Sequence, residues 1–520
     1  MFNTKKRPVG ITHGPLPVSG VSGRLLRVQP FLAAAREMRP GKEVIAREIG
    51  LADHDRNLDP KNDRVKGTPI TLEQSESLLI RACPRAHRDI RFGPMSASRK
   101  SLLTLTTCLF IAGGATFSCQ PRTEWYRGNL HTHSYWSDGD QFPDVILSWY
   151  KDQGYDFVSM SDHNVLADTD RWATVSRIRN GAEAFARYQR IFNEDWIETR
   201  QDSIGQLQVR LKRFEEYAER LGVQGEFLVL QGEEISDSFA SRPLHVNATN
   251  VAEFIPPQGG TSVADVLQRN IDAVLEQRDA TGQPMFPHVN HPNFGWAVTA
   301  EDLMNLRGEK FFEVYNGHPL VHNDGDSLRP STERIWDIVL THRLTTGQDV
   351  VYGIAVDDAH HYLQMDSARA NPARGWVLVR APTLSAEAII RAMEGGDFYG
   401  TTGVVLDDVT ISDSELAISI VPEPGVTYTT TFVGTRRGFD DHVVEVPDVE
   451  GLPVSGRYSD EIGTVLAEVA GSTPHYSFAG DEIYVRARIE SSRAVENPVH
   501  AGEVESAWIQ PVVLWSGSPS

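Results

Sequence analysis

The stretch Leu130-His131-Thr132-His133 joins a short apolar start to two histidines that are one residue apart. This pattern is typical of the end of a β-strand. Alternate residues of a strand face the same side, so both imidazoles can reach one site. A lone pair of this kind often arises by chance, and its meaning depends on what the rest of the chain places beside it.

Residues 125–403 alternate short apolar runs with helical stretches. Such alternation predicts an α/β fold with a parallel arrangement, either a barrel or an open sheet. The charged stretch 170–222 is predicted to be a helical insertion packed on the outside. Strands are predicted at 156–160, 227–230, 285–289, 311–315, 350–355 and 376–379, and helices at 143–153, 262–277, 332–342 and 385–394.

Residues 404–520 have a different pattern, in which apolar and polar residues alternate one by one. Leu416, Ile418 and Ile420 form one such series, and a second runs from Ile483 to Ile489. This period of two is typical of half-buried antiparallel strands. We therefore predict a small β-sandwich at the C-terminus.

Histidines and carboxylates recur at the predicted strand ends, which form the functional face of a parallel α/β fold. Nitrogen and oxygen ligands without sulfur suit Zn, Mn or Fe. Burying so many of these groups without a cation would leave desolvated charge uncompensated. Nine candidates exceed the capacity of one ion, so we predict two or three divalent ions held by His131, His133, Asp138, His163, one of Glu233 and Glu234, His245, His291, Asp358 and His360.

The ordered motifs H-x-H, S-D-G, S-D-H-N, G-x-E, H-V-N, N-H-P-N and D-x-H over residues 125–403 resemble the PHP (polymerase and histidinol phosphatase) superfamily of metal-dependent phosphoesterases. The resemblance implies a distorted (β/α)7 barrel with its metals at the C-terminal strand ends. It implies that the first metal is bound by His131, His133, Glu234 and Asp358, the second by Glu234, His245 and His291, and the third by Asp138, His163 and His360. The sequence after residue 403 has a looser resemblance to an exported subgroup related to carbaryl hydrolase.

Several neighbouring residues leave alternatives open. Gly232-Glu233-Glu234 offers two carboxylates, and the G-x-E spacing selects Glu234. Asp162 is interpreted as a local hydrogen-bonding residue. His288 and His361 are spare imidazoles. Three arginines near the motifs are interpreted as phosphate clamps or as structural residues: Arg127, Arg242 and Arg374.

Composition limits the function classes. The 520 residues carry 50 Lys and Arg against 70 Asp and Glu, a formal net charge of -20, which argues against a nucleic-acid binder. Three cysteines exclude a disulfide scaffold and a cysteine-rich zinc site. No apolar run reaches the ~18 residues that a membrane-spanning helix needs.

The N-terminal part has its own pattern. Residues 1–94 hold 17 of the 50 basic residues but only 10 of the 70 acidic ones, and we interpret them as a disordered or artefactual extension. Residues 95–119 follow the layout of a secretory signal, with Arg99 and Lys100 before an apolar stretch. Cys119 directly after it resembles a bacterial lipobox, although Thr116 stands where leucine is usual. These features predict an exported, periplasmic or cell-surface lipoprotein anchored to the membrane.

The ligand set predicts hydrolysis of a small phosphomonoester or phosphodiester by a metal-bridged hydroxide. Glu234 would bridge two ions, and an imidazole such as His288 would protonate the leaving group. Two alternatives remain. One is a carbamate, ester or amide hydrolase, and the other is a non-catalytic surface binder in which metals stabilise the fold.

Overall fold

The computed structural model describes residues 123–449 and 451–515. The predictions for the extension 1–94 and the signal segment 95–119 concern residues outside these ranges. A search of the described helices finds none that is long and apolar enough to cross a membrane.

Twelve strands are described up to residue 401: β1 (Glu124–Asn129), β2 (Phe157–Met160), β3 (Arg171–Thr174), β4 (Thr199–Gln201), β5 (Leu207–Leu211), β6 (Leu228–Phe239), β7 (Arg242–Thr249), β8 (Phe286–Val289), β9 (Phe311–Asn316), β10 (Tyr352–Val356), β11 (Trp376–Ala381) and β12 (Phe398–Thr401). The helices in the described ranges are α1 (Pro143–Asp152), α2 (Gly181–Ile191), α3 (Phe214–Leu221), α4 (Val263–Thr281), α5 (Ala300–Met304), α6 (Thr332–Thr345) and α7 (Ala386–Glu394).

Residues at the helix ends explain where the long helices begin and end. Ser262, Ser331 and Ser385 each accept a hydrogen bond from a backbone N–H of the first turn, and so begin α4, α6 and α7. Gly282 ends α4 in the left-handed conformation that glycine adopts without steric cost. Serine at the start and glycine at the end are signals that the sequence displays, so the predicted helices lie close to the observed ones.

The central sheet is mixed rather than wholly parallel. Its strands lie in the order β10-β9-β8-β7-β6-β2-β1-β11-β12 and continue into the C-terminal strands. The pairs β1–β2, β2–β6, β8–β9 and β9–β10 are parallel, as predicted. The strand β7 is antiparallel to both of its neighbours, and β11 is antiparallel to β1 and β12. The prediction of a parallel arrangement is therefore correct only in part.

The insertion between β2 and β6 contains strands as well as helices. The strands β3, β5 and β4 form a small antiparallel sheet, with α2 and α3 beside them in sequence. The helical insertion predicted for 170–222 is thus correct only in part, because it contains α2 and α3 but also three strands. Asp144 of α1 attaches the insertion to the main sheet region, because its buried carboxylate accepts hydrogen bonds from Tyr188 and Trp196.

The C-terminal region is built from antiparallel strands: β13 (Leu406–Ile411), β14 (Glu415–Ile420), β15 (Tyr428–Arg436), β16 (Val443–Val444), β17 (Arg457–Tyr458), β18 (Thr464–Ala470), β19 (His475–Ser477), β20 (Glu482–Ala494) and β21 (Val504–Val513). The strands β21, β20, β15 and β18 extend the central sheet, since β12 pairs with β21. The strands β13, β14 and β19 form a separate sheet. The two regions of the chain therefore share one continuous sheet.

The alternation predicted for residues 416–420 is seen as strict burial of every second residue of β14. The strand β20 differs, because its first half is buried on both faces. Arg486 forms an ion pair with Asp337 of α6, and Tyr484 donates a hydrogen bond to the same carboxylate. A helix thus covers the face of β20 that the sequence predicted to be exposed.

Candidate metal centre

The extended segment after β1 directs both histidines of the H-x-H motif inward. Thr132 forms a parallel bridge with Ala359, and the N–H of His133 donates to the carbonyl of Ala359 at 3.0 Å. The rings of His131 and His133 lie 5.0 Å apart, and both side chains are wholly buried. The local backbone therefore brings the two imidazoles to one site, as predicted.

The first predicted metal position brings together four ligand atoms. Oδ1 of Asp358 lies 3.3 Å from Nε2 of His131 and 3.2 Å from Nε2 of His133. Oε2 of Glu234 lies 3.4 and 3.3 Å from the same two nitrogens. Ligands 2.0–2.2 Å from a tetrahedral ion are about 3.3–3.6 Å apart. These four distances fit such an ion well and are long for hydrogen bonds.

The second position uses the other oxygen of Glu234. Oε1 lies 2.8 Å from Nδ1 of His245 and 3.5 Å from Nε2 of His291. Asn290 donates an amide hydrogen bond to the same oxygen at 2.7 Å. The contact with His245 has a hydrogen-bond distance, and Oε2 faces His131, His133 and, at 2.7 Å, Nδ1 of His163. The two oxygens of Glu234 thus face different sets of imidazoles, which is the arrangement that a bridging ligand requires.

The third position lies at the exposed edge of the site. Oδ1 of Asp138 is 3.3 Å from Nε2 of His360 and 3.8 Å from Nε2 of His163. The side chain of Asp138 is 50% exposed, whereas His131 and His133 are wholly buried. This position therefore lies on the route by which a molecule from solvent would reach the interior of the site.

The centre holds polar atoms that lack partners. Among the described residues, four buried atoms of the first position have no hydrogen bond: Nε2 of His131, Nδ1 and Nε2 of His133, and Oε2 of Glu234. Buried polar atoms without partners cost free energy. A divalent cation bound by imidazole nitrogens and carboxylate oxygens would satisfy three of them at once, so the residues present fit such an ion.

The electrostatics of the centre favour ionised carboxylates. Burial raises the pKa of Glu234, but His163, His245 and His131 outweigh burial and hold it well below its usual range. The pKa of Asp358 is also held well below its usual range, because its neighbours, His131 above all, outweigh the effect of burial. Burial and the neighbouring imidazoles lower the pKa of His133 to about 3, so this ring is neutral at pH 7 and has a lone pair to donate.

Asp162 shapes the turn that carries Asp138. Its Oδ1 accepts hydrogen bonds from the N–H groups of Ser134 and Ser137 at 2.7 and 3.0 Å, and its Oδ2 accepts one from the hydroxyl of Ser134 at 2.7 Å. Asp162 therefore acts as a local hydrogen-bonding residue, as interpreted from the sequence.

Glu233 faces away from the predicted metal positions, because neighbouring residues of a strand point to opposite faces. Its Oε2 accepts a hydrogen bond from the N–H of Ile255, and burial raises its pKa to about 8. The choice of Glu234 over Glu233 thus agrees with the observed geometry.

His288 does not lie where its predicted role requires. Its side chain is wholly buried, and its Nε2 lies 3.3 Å from Oε1 of Glu313, on the inner side of His131. A leaving group that enters from the exposed side near Asp138 would not contact it. The structure therefore does not support His288 as the proton donor to the leaving group.

The arginines near the motifs have structural contacts. Arg374 is wholly buried and donates to the carbonyls of Gly317, Arg369 and Asp366. Arg127 lies between the rings of Tyr155 and Trp376, 3.9 Å from each. The phosphate-clamp interpretation is therefore wrong for these two residues.

The guanidinium of Arg242 contacts the carbonyl of Ala297. The insertion supplies another cation near the third position, because Arg179 lies 3.1 Å from Nε2 of His361. His361 is the neighbour of His360 in the chain, and it has no part in the clusters that bring together the described candidate ligands.

Sequence reasoning missed Glu313, Asn316 and His318. Glu313 is in β9, and its wholly buried carboxylate contacts His131 and His288. Asn316 donates to Oδ2 of Asp358 at 3.1 Å, and the ring of His318 lies 5.5 Å from that of His360. The signal that could have revealed Glu313 is a single acidic residue inside the apolar run Phe311-Phe312-Glu313-Val314.

Comparison with solved structures gives matches of low similarity, and three of them are the following. A two-domain protein from Bacteroides vulgatus, described as containing a predicted PHP-like metal-dependent phosphoesterase, is 16% identical, with a TM-score of 0.34 over 75% of this chain and 95% of its own. A protein from Bifidobacterium adolescentis described as a candidate metal-dependent phosphoesterase is 14% identical, with a TM-score of 0.24 over 45% and 87% of the two chains. An amidohydrolase from Chromobacterium violaceum with bound sulfate and no metal is 14% identical, with a TM-score of 0.23 over the same shares.

Two of these neighbours are described as metal-dependent phosphoesterases, one of them as PHP-like. At such TM-scores the likenesses carry no argument about fold or activity. A scan against protein-family models found no match, and neither did a search of curated proteins. The functional conclusion therefore depends on the geometry of the site.

Proposed function

We propose that this protein is a metal-dependent hydrolase that cleaves a small phosphomonoester or phosphodiester at a centre of two or three divalent ions. The observation that carries the proposal is the shared carboxylate of Glu234, whose two oxygens face different sets of imidazoles. Paired cations held in this way supply an activated water and neutralise the charge that develops on a phosphoryl group.

The side chains contribute in ways that follow from their positions. His131, His133 and Asp358 would hold the inner ion away from solvent, and Glu234 would be shared between the first two ions. Asp138 and His163 are more exposed, so they are the predicted ligands that a substrate would approach first. The buried walls exclude bulk water, which strengthens every charge interaction inside.

We also propose that residues 125–403 form the distorted (β/α)7 barrel and that residues 404–520 form the β-sandwich. A barrel is supported by the close approach of β10 to β12, where a Cβ built on Gly400 would lie 3.0 Å from Cβ of Ala355. The sandwich is supported by a shared apolar cluster that includes Ile418 of the separate sheet and Phe432 and Ile489 of the continuous one.

The N-terminal features support a proposal about location. We infer that the protein is exported and bound to the cell envelope through a lipid on Cys119. Mass spectrometry of the native protein tests this inference, since it predicts a mature chain that begins at a lipidated Cys119. Peptides from residues 1–90 would contradict it.

The enzymatic proposal is tested on the purified full chain by metal analysis together with hydrolysis assays. We expect at least two equivalents of Zn, Mn or Fe and release of p-nitrophenol from p-nitrophenyl phosphate or its bis ester. p-Nitrophenyl acetate serves as the matched substrate for the ester-hydrolase alternative. Bound metal without phosphate-ester turnover, but with rapid acetate turnover, would replace the proposal with that alternative.

A further inference from the structure

A buried cluster shares one residue with the nine predicted ligands and adds two residues that are not among them. It consists of His131, His288 and Glu313, whose side chains are all wholly buried. His131 is shared with the first metal position. Glu313 is part of no predicted metal position, yet it lies inside the sheet where an unpaired carboxylate would be costly.

The distances decide between ligation and hydrogen bonding. Nδ1 of His131 lies 2.6 Å from Oε1 of Glu313. Two ligands of one ion would lie about 3.3 Å apart or more, so 2.6 Å fits a hydrogen bond donated by the imidazole. The other nitrogen of His131, Nε2, faces Asp358 and Glu234 at 3.3 and 3.4 Å. Glu313 therefore contacts the ring edge opposite the metal position.

The second oxygen of Glu313, Oε2, forms hydrogen bonds with the backbone of one other predicted ligand and with a residue that contacts another. Oε2 accepts a hydrogen bond from the backbone N–H of His291 at 2.7 Å. It also accepts one from the side-chain amide of Asn316 at 2.8 Å, and the same amide nitrogen lies 3.1 Å from Oδ2 of Asp358. One carboxylate is thus connected to ligands of both the first and the second metal position.

We propose that Glu313 is a positioning residue that orients ligands of both inner metal positions at once, and this proposal rests on the proposed function of the site. Its contact with Nδ1 keeps a proton on that nitrogen of His131 and leaves the lone pair of Nε2 free for the ion. Its contact with the backbone of His291 fixes the turn that brings that imidazole to the second position.

The donor count explains why this position needs a carboxylate. Four N–H groups point at Glu313: those of His131, His288, the backbone of His291 and the side chain of Asn316. An ionised carboxylate accepts at both oxygens, whereas a glutamine amide presents two donors at one end. In Glu313→Gln the new NH₂ group would face N–H donors in either orientation, that of His131 in one and those of His291 and Asn316 in the other. Even this isosteric change is therefore expected to disturb the site.

The test compares metal affinity in the full-length wild type, Glu313→Gln, Glu313→Ala and a control. Glu309→Gln is the matched control, because Glu309 is also a buried glutamate near the start of β9, but its partner is Arg343 rather than a predicted ligand. Metal content and competition with a chromophoric chelator give the affinity, and thermal unfolding of the metal-free proteins reports the fold.

We expect Glu313→Gln and Glu313→Ala to lower the affinity of both inner ions by roughly 10–100-fold. Glu309→Gln should lower thermal stability while leaving both affinities unchanged. If Glu313→Gln does not fold, Glu313→Asp, which keeps the charge but shortens the reach, should still show a loss of affinity at both positions. Unchanged affinity in the folded variants, or a loss confined to one ion, would overturn the proposal.

The outcomes separate this inference from the proposed function. If the wild type binds two ions and the Glu313 variants bind them as tightly, only the positioning role fails. If the wild type binds ions and the variants lose them, but no phosphate ester is cleaved, the positioning role holds and the phosphoesterase proposal fails. A wild type that binds no metal would overturn both.

Discussion

Oδ1 of Asp358 lies 3.2 Å from Nε2 of His133, although the two residues come from distant parts of the chain. Asp358 follows β10 with a positive φ of 50°, a conformation that aspartate tolerates better than most residues. His133 follows β1, and the segments after β1 and β10 are joined by the parallel bridge between Thr132 and Ala359. Pairing of these two distant segments of the chain is therefore needed before the first metal position exists.

Replacement of a ligand should empty the centre. We expect His133→Ala to reduce both bound metal and turnover by more than about 100-fold, because even a residue that only supports a ligand typically contributes 10–100-fold. The exposed His475 of β19 provides the control, and His475→Ala should change neither quantity. Full turnover by a metal-depleted His133→Ala variant would contradict the role of the site.

The third metal position should be separable from the other two. Asp162→Ala removes the acceptor that shapes the turn before Asp138, so we expect the affinity of the outermost ion to fall by roughly 10–100-fold. The inner ions should stay bound, since the carboxylate of Asp162 contacts only Ser134 and Ser137, and the hydrogen bond from the N–H of Glu234 to the backbone carbonyl of residue 162 is kept in the variant. Titration of metal into the metal-free variant, followed by calorimetry, measures how many tight ions remain.

The neighbouring glutamates should respond in opposite ways to replacement by glutamine. The pKa of Glu233 is about 8 in the folded protein against 4.5 in the unfolded chain, so its burial costs increasing stability as the pH rises from 4.5 to 8. Glu233→Gln removes this cost, and its advantage over wild type should grow by up to about 1.4 kcal/mol per pH unit in that window.

Urea unfolding at several pH values measures this difference in the free energy of unfolding. Metal content should be unchanged in Glu233→Gln and strongly reduced in Glu234→Gln. Loss of metal from the first variant and retention by the second would reverse the assignment of the bridging carboxylate.

The loop that carries Asp358 and His360 depends on Arg374. Its guanidinium donates hydrogen bonds to the carbonyls of Gly317 and Arg369, and to that of Asn497 in the C-terminal region. Arg374→Met leaves those buried carbonyls without a donor, and we expect a loss of about 3 kcal/mol or more in the free energy of unfolding. Arg391→Met is the control, because it breaks only an exposed helical ion pair and should cost less than about 0.5 kcal/mol.

Local spacing made much of the site predictable. H-x-H in an extended segment and S-D-H-N after a strand place their side chains by short-range geometry. The structure brings the predicted ligands close together, but the observed clusters overlap, because His133 and His163 each take part in two of them. Glu313 was missed because a single carboxylate inside a strand has no motif around it. Its importance arises from donors that belong to distant parts of the chain.

The mixed sheet could not be predicted for a specific reason. The turn between β6 and β7 is formed by Ala240 and Ser241, both with positive φ. Hairpin turns of that kind usually contain asparagine or glycine, so the sequence lacked the expected signal. The short strand predicted at 227–230 is in fact the beginning of the longer strand β6, which is one arm of a hairpin, and His245 is on the other arm, β7.

Gly400 in β12 pairs with Trp508 in β21, and this pairing limits how the protein can be divided. Because backbone hydrogen bonds join β12 to β21, residues 404–520 cannot be transferred or removed as if they were a separate domain on a linker. Removal of these residues would leave the edge of β12 unpaired, and an exposed strand edge promotes aggregation. Residues 125–403 and residues 404–520 are thus expected to be inherited, expressed and unfolded together.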